Sequence, residues 1–339
     1  MKLIRAEDAV GHVLCHDLTR IIKDQYKDAR FRKGHVVTQE DIPVLLSMGK
    51  EHLYVWEMTP GMLHENDAAE RLYALCANDH MDRSEVKEGK IELKAACDGL
   101  FLVNSEKLVA VNSVEDIMIA TRKGGTAVRK GDKLAGMRVI PLIIPEEKLQ
   151  TAEAAAGDAP LLELKPWVRK TAAIVATGSE VKKGLIQDTF TPVVRDKLAA
   201  YGIETISISY SGDRVENVAN AIVQARSTGA DVILCTGGMS VDPDDNTPGG
   251  IKASGAKIVT YGAPVLPGAM FLLGYYDDGT PVMGLPGCVM YAGATIFDLV
   301  LPFVAADVPV TRQQIVALGE GGLCLGCKPC HWPECPFGK

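Results

Sequence analysis

The second half of the chain alternates between short apolar runs and amphipathic stretches. Ala172-Ala-Ile-Val-Ala176, Ile203–Tyr210, Asp231-Val-Ile-Leu-Cys235, Ala256-Lys-Ile-Val-Thr260 and Pro281-Val-Met-Gly-Leu285 each read as a strand. Helices are predicted over Asp188–Ala200 and Asp213–Ser227, and a long apolar one over Val289–Leu301. Strands alternating with helices specify an α/β fold, here a doubly wound, mostly parallel sheet over residues 171–310. In such sheets ligands bind at the carboxyl ends of the strands. Four loops rich in glycine fall there: Thr177-Gly-Ser-Glu180, Thr236–Gly250, Tyr261–Gly268 and Gly284-Leu-Pro-Gly-Cys288.

The first 150 residues are patterned differently, as a smaller α+β and β-rich region. Over 1–58, Ala9–Leu14 and Leu53–Trp56 are strand-like, and Gln39–Met48 is helical, with Thr38 as N-cap and Gly49 at its end. Over 59–150, a helix from Leu63 to Cys76, capped by Asn66 or Asp67, precedes strands at Ile91–Lys94, Gly99–Asn104 and Leu108–Val111. Thr126–Gly136 reads as a hairpin turning at Lys130-Gly-Asp132, followed by a strand over Met137–Ile144. The Ala-rich stretch Thr151–Pro160 is bounded by glycine and proline, so residues 151–170 read as a linker. His12, His16 and His35 share no ligand spacing and suggest no metal site.

The Thr236–Gly250 loop carries the most chemistry. Glycines let backbone N–H groups approach an anion closely, and Asp242, Asp244 and Asp245 offer hard oxygen donors for a cation such as Mg²⁺. The alternative is a solvated acidic turn punctuated by Pro243 and Pro248.

Composition narrows the partners. At 339 residues, 47% hydrophobic and 23% charged, the chain holds about two cored domains. A net charge of -7 argues against a nucleic-acid or anionic-membrane partner, since neither is attracted without a basic face. No run reaches the ~18 apolar residues of a membrane span. The N-terminus has acids where a signal peptide would be apolar, so a cytoplasmic protein is expected.

Of nine cysteines, Cys15, Cys76, Cys97, Cys235 and Cys288 are scattered, whereas Cys324, Cys327, Cys330 and Cys335 crowd together near the end of the chain. Their spacing, Cys-x2-Cys-x2-Cys-x4-Cys-Pro, suits Zn²⁺ or a [4Fe–4S] cluster, with His331 as a substitute ligand, in a tail over 319–339. Free thiols or disulfides are the alternative. Gly319-Glu-Gly-Gly322 reads as a hinge into that tail.

Taken in order, Thr177-Gly-Ser-Glu180, Thr236-Gly-Gly-Met-Ser-Val-Asp-Pro-Asp-Asp245, Leu266-Pro-Gly-Ala269 and Gly284-Leu-Pro-Gly-Cys288 resemble four motifs of the molybdopterin-binding domain in molybdopterin molybdenumtransferases, MoeA and the gephyrin E domain. The resemblance implies a site for molybdopterin and its phosphate, with Mg²⁺ and molybdate nearby, and insertion of molybdenum into adenylylated molybdopterin. It places Thr177, Gly178, Thr236, Gly237, Gly238, Ser240, Pro267, Gly268, Pro286 and Gly287 around the ligand, and Glu180, Ser240 and Asp245 in catalysis. Asp245, Thr247 and Pro248 also align with the Asp-x-Thr-Pro of the sister adenylyltransferases. It further implies a homodimer.

The departures are as specific as the matches. Ser179 replaces an acid, Asp242 a glycine, Ala269 a lysine and Cys288 an asparagine, and a cysteine tail stands where those enzymes have a further β-domain. Losing a cation beside an oxyanion weakens transferase chemistry more than pterin binding. A non-catalytic carrier delivering molybdopterin to a molybdoenzyme, or a cofactor and redox sensor, are therefore the alternatives to the enzyme.

Overall fold

The computed structural model describes residues 2–22, 26–55, 60–243 and 245–339. The chain divides into two compact units: Met1–Ala96 with Val103–Gly124 and Lys130–Glu163, and Cys97–Leu102 with Gly125–Arg129 and Leu164–Lys339.

The second unit is the expected α/β fold. Its elements are β1 (Thr171–Thr177), α1 (Phe190–Ala199), β2 (Glu204–Ser211), α2 (Val215–Ser227), β3 (Val232–Thr236), α3 (Thr247–Ala253), β4 (Lys257–Tyr261), β5 (Leu272–Tyr275), β6 (Pro281–Leu285), α4 (Ile296–Ala305) and α5 (Arg312–Ala317). The six strands lie in the order β2-β1-β3-β6-β5-β4. β2, β1, β3 and β6 run parallel, and β5 is antiparallel to both of its neighbours. β3 is buried at every residue, as a central parallel strand should be, while β2 alternates between exposed and part-buried positions at the sheet edge. One face of the sheet packs on Phe190, Val194, Leu198, Phe297 and Val300 of α1 and α4. The other packs on Val218, Ile222 and Ile251 of α2 and α3. Helices on both faces make the sheet doubly wound.

Two expectations change here. β5 is an additional antiparallel strand between the last two expected ones. The apolar helix predicted from Val289 begins instead at Ile296, after a 3-10 turn over Gly287–Met290, because Thr295 and Asp298 form a capping box. The Thr295 hydroxyl accepts from the Phe297 N–H at 3.2 Å, and the Asp298 carboxylate accepts from the Thr295 N–H at 2.8 Å. Asp298 also pairs with Lys197 of α1, which supplies the charge partner a buried carboxylate needs.

The first unit is built around a four-stranded antiparallel sheet, in the order Met81–Arg83, Ile91–Ala95, Lys133–Val139, Ile117–Thr121. Three further antiparallel pairs join Lys2–Arg5 to His52–Val55, Leu18–Ile22 to Tyr26–Phe31 and Met62–His64 to Ile143–Pro145. Leu108–Val111 lies in a helix, Ser105–Asn112, not a strand; the Asn104 side chain caps it by accepting from the Lys107 N–H at 3.1 Å. Thr126–Gly136 is not a hairpin. Thr126–Val128 belongs to the second unit and pairs there with Gly99–Phe101, whereas Lys133–Val139 belongs to the first and pairs with the strands at Ile91–Ala95 and Ile117–Thr121. The Ala-rich stretch is no linker up to Ala156: it ends a helix, Glu146–Ala156, that buries Leu149, Ala152 and Ala156 on one stripe and stops at Gly157. Packing of that stripe, with Arg71 bridging Glu146 and Glu153, supplies what propensity alone lacks.

The early helix spans Asp41–Ser47, with the Asp41 carboxylate accepting from the Thr38 N–H at 2.9 Å. Ala9–Leu14 contributes only isolated bridges, from Val13 to Val36 and from Leu14 to Val55, and Trp56 lies outside the described residues.

The helix Glu65–Cys76 is capped by His64, not by Asn66 or Asp67. Burial, then the nearby Lys33 ammonium, holds the His64 imidazole below its usual pKa. Its Nδ1 accepts from the Asn66 N–H at 3.1 Å, and its Nε2–H donates to the Cys15 carbonyl at 2.6 Å. An unfolded chain takes up this proton more readily than the folded unit does, so neutral His64 contributes stability above about pH 6.5 that is lost as pH falls through the depressed folded value. Amide exchange of the first unit should therefore accelerate below about pH 6.5, and a His64→Gln variant should show a flatter pH dependence over that window.

Candidate functional site

β1, β3, β4 and β6 all point the same way, so the loops that follow them gather at one sheet edge, as the strand-end motifs require. The centre of that edge is a buried threonine network. The Thr177 hydroxyl donates to the Thr236 carbonyl at 3.0 Å and lies 2.9 Å from the Thr247 hydroxyl. With its one proton committed to the carbonyl, Thr177 accepts from Thr247. The Thr247 N–H in turn donates to the Gly238 carbonyl at 3.1 Å. Thr177, Thr236 and Thr247 are almost wholly buried. The structure therefore uses the Thr177 and Thr247 hydroxyls to bind the first loop to the second.

The glycines of the motifs are sites of close backbone packing. Gly237 and Gly238 both have positive φ, and a Cβ on Gly237 would lie 2.4 Å from the Thr177 carbonyl oxygen. Gly250 lets α3 approach α2, since a Cβ there would meet Val218 at 2.4 Å. Gly178, also at positive φ, opens the turn Ser179–Lys182, on which Glu180 is exposed.

In the second loop the Ser240 N–H donates to the Asp245 carboxylate at 3.0 Å, and the Asp245 N–H donates to the Asp242 carbonyl at 2.9 Å. Asp242 and Asp245 thus stand at the two ends of one turn, with Asp242 exposed and Asp245 half-buried; Asp244 lies outside the described residues. Two carboxylates on one turn fit a hard cation shared with phosphate oxygens of a ligand. Among the described residues, no three His, Cys, Asp or Glu side chains gather as a metal-ligand set. Pro248 sits in the first turn of α3. Pro267 and Gly268 abut the start of α4, with the Ile296 N–H donating to the Pro267 carbonyl at 3.3 Å. Pro286 and Gly287 open the 3-10 turn after β6.

Three further residues join the edge. Asp213 follows β2 and its carboxylate accepts from the Ser179 N–H at 3.0 Å. Tyr261 donates through its hydroxyl to the Met239 carbonyl at 3.1 Å, tying β4 to the second loop. Asp188 caps α1 by accepting from the Phe190 and Thr191 N–H groups at 3.0 Å, while its second carboxylate oxygen is buried without a partner among the described residues. Ser211-Gly212-Asp213 was the legible signal, since it follows a strand as the four motif loops do. Two clefts of about 280 and 570 Å³, both lined by Arg169, open at the opposite end of the sheet, near the starts of β6 and β3 respectively.

Among the described residues, the four tail cysteines do not gather as a metal-ligand set. Cys324 and Cys335 are half-buried against the core of the second unit beside Trp332, whereas Cys327 and Cys330 are exposed. The apolar side chains of the tail draw two thiols onto the core and leave the other two in solvent. Nor is Gly319–Gly322 a hinge: the Gly322 carbonyl accepts from the Leu266 N–H at 2.8 Å.

Thiol labelling of the native protein should modify Cys327 and Cys330 first and Cys324 and Cys335 more slowly. Cys76 and Cys235, whose thiols burial pushes up to about 12, should react only on unfolding. Thr177→Val should cost about 1–3 kcal/mol in thermal or chemical denaturation, because it leaves the Thr236 carbonyl and the Thr247 hydroxyl buried without their partner. Thr177→Ser should restore most of that loss.

Comparison with known proteins places these features in context. Residues 3–57 match a family model described only as a domain of unknown function. Similar curated proteins include a CinA-like protein of Mycobacterium avium, 35% identical over 80 residues, covering 24% of this chain and 18% of that protein. A probable FAD synthase of Caenorhabditis briggsae is 33% identical over 84 residues, covering 25% of this chain and 16% of that protein. The chain thus spans under a fifth of the length of these relatives. Among solved structures, the protein CinA of Thermoplasma acidophilum aligns at 17% identity and TM-score 0.34, over 40% of this chain and 98% of that one. A putative molybdenum cofactor biosynthesis protein of Corynebacterium diphtheriae aligns at 16% identity and TM-score 0.34, over 42% of this chain and all of that one. Residues 173–306, the segment that contains the sheet and its strand-end loops, match the family model of a probable molybdopterin binding domain.

Proposed function

We propose that the protein binds molybdopterin at the carboxyl edge of the 173–306 sheet and acts on its adenylylated form as a molybdenumtransferase-like enzyme. The observation that carries this reading is the convergence at one edge of the loops after β1, β3, β4 and β6, with the first two cross-linked through Thr177 and Thr247. A site assembled from four separate loops needs such a lock if the loops are to hold one ligand in register.

In this reading the turn Asp242–Asp245 holds Mg²⁺ against the pterin phosphate. The bound cation would offset phosphate charge, which two carboxylates alone would repel. The bond from the Ser240 N–H keeps the Asp245 carboxylate oriented toward the turn. Glu180 and Ser240 are the polar groups assigned to the reacting end, and Pro267, Gly268, Pro286 and Gly287 wall the pterin. Molybdate enters as substrate, and AMP leaves as the adenylyl group is cleaved.

A second reading, a carrier that binds molybdopterin and delivers it to a molybdoenzyme without catalysis, is favoured by Ala269. The side chain at that position brings no cation to stabilise an oxyanion, and the residue closes its loop through its carbonyl, which accepts from the Ala263 N–H at 3.0 Å.

Incubation with adenylylated molybdopterin, Mg²⁺ and molybdate should release AMP, and Asp245→Ala should lower both release and pterin affinity at least about tenfold, the loss of one charge-assisted contact. Tight binding without AMP leaves the carrier. Unchanged pterin affinity in Asp245→Ala overturns the assignment of this loop.

A further inference from the structure

Residues 319–339 lie beyond both matched segments, yet they are built into the second unit. Phe337 is 2% exposed and belongs to the same core as Phe297 and Leu299. Trp332 packs edge-on against it, with ring centroids 5.7 Å apart. Gly338 lies so close to α4 that a Cβ there would meet Leu299 at 2.3 Å, and its N–H donates to the Gly321 carbonyl at 2.9 Å. That bond closes the tail on itself, so its far end is held by its near end.

The near end grips a strand-end loop. Leu323 pairs in parallel with Leu266: the Leu266 N–H donates to the Gly322 carbonyl at 2.8 Å, and the Cys324 N–H donates to the Leu266 carbonyl at 2.8 Å. Only glycine fits at 322, where a Cβ would meet the Leu318 carbonyl oxygen at 2.3 Å and the Pro264 carbonyl oxygen at 2.7 Å. On its other side the same loop rests on the start of α4, since a Cβ on Gly268 would meet Ile296 at 2.5 Å. Leu266-Pro267-Gly268 is thus held between the tail and α4, while Phe337 fixes the tail to the core beneath.

We propose that the tail is a positioning clamp for the site: residues 322–324 set the Leu266–Gly268 loop, and Phe337 anchors the clamp by apolar burial. The proposal rests on the reading that this loop walls the molybdopterin site. Its force resides in two backbone hydrogen bonds and one buried ring, so it works without a metal on the four thiols. Cys324 matters through its N–H, and Phe337 through its volume.

The test uses the full chain and four variants, Cys324→Pro, Cys324→Ser, Phe337→Ala and Phe337→Leu. Amide exchange at Leu266 should accelerate at least about tenfold in Cys324→Pro, which removes the N–H, and in Phe337→Ala, which removes the anchor. Exchange should be near that of the unmodified protein in Cys324→Ser and Phe337→Leu, with β1 and β3 amides unchanged in all four. Affinity for molybdopterin released from a purified molybdoenzyme, read by pterin fluorescence, should fall about tenfold in Cys324→Pro and be retained in Cys324→Ser, a difference of about 1.4 kcal/mol.

Unchanged Leu266 exchange in Cys324→Pro and Phe337→Ala overturns the clamp, as does acceleration spread across β1 and β3, or acceleration in Cys324→Ser, which would place the force in the thiol. Faster loop exchange with unaltered pterin affinity overturns the positioning role. Unmodified protein that binds no molybdopterin overturns the proposed function instead, and the exchange measurements still decide the clamp.

Discussion

The Thr177 hydroxyl is the constraint on which the candidate site depends. It sits at the end of β1, donates to the backbone of β3 and accepts from the first residue of α3. Three elements that are distant in sequence meet at one oxygen atom. Buried polar networks of this kind specify a unique arrangement because an unpaired member is expensive. The Thr236–Gly250 loop therefore has little freedom at its two ends, where Gly237 and Thr247 contact Thr177, and its chemically distinctive residues are carried on the span between them.

That division alters what the glycines mean. Read from sequence, a strand that runs into glycines suggests backbone amides presented to an anion. In the structure the clearest requirement for those glycines comes from protein atoms: the Thr177 carbonyl over Gly237, Val218 over Gly250, Ile296 over Gly268, and Met239 over Gly284, where a Cβ would meet its sulfur at 2.5 Å. Close packing and ligand approach both call for glycine, so the pattern alone could not separate them. Loops brought this close to their supports are also well placed to present a ligand with a fixed surface.

The α/β half was legible because its strands are buried on both faces and read as continuous apolar runs, and because its motifs mark strand ends. The antiparallel strand Leu272–Tyr275 was not, since it lies among motif loops and its neighbours are set by tertiary pairing. The first unit was legible only in outline. Leu108–Val111 satisfies a strand pattern and a helical one equally over four residues, and the cap at Asn104 decided between them. In the second unit, Thr126–Val128 finds its partner at Gly99–Phe101, far beyond the reach of a hairpin rule. The Glu146–Ala156 helix depends on a buried stripe that alanine-rich composition hides.

The tail shows the same bias. Four closely spaced cysteines dominate its sequence and draw attention to metal chemistry, while Trp332 and Phe337 pass as ordinary residues, each beside a proline. Yet a single phenyl ring placed wholly inside a core secures a segment more directly than partly exposed thiols do. Arg312 adds to this from just outside the matched segment, its guanidinium donating to the Thr260 hydroxyl at 3.0 Å at the end of β4. The loop that follows β4 is thus bounded at its root by Arg312, on one side by α4 and on the other by residues 322–324. What stands at position 269, an alanine in a loop already fixed from three directions, bears on how that loop meets charge and leaves its shape intact, which is why the sequence speaks more clearly about the ligand than about the reaction.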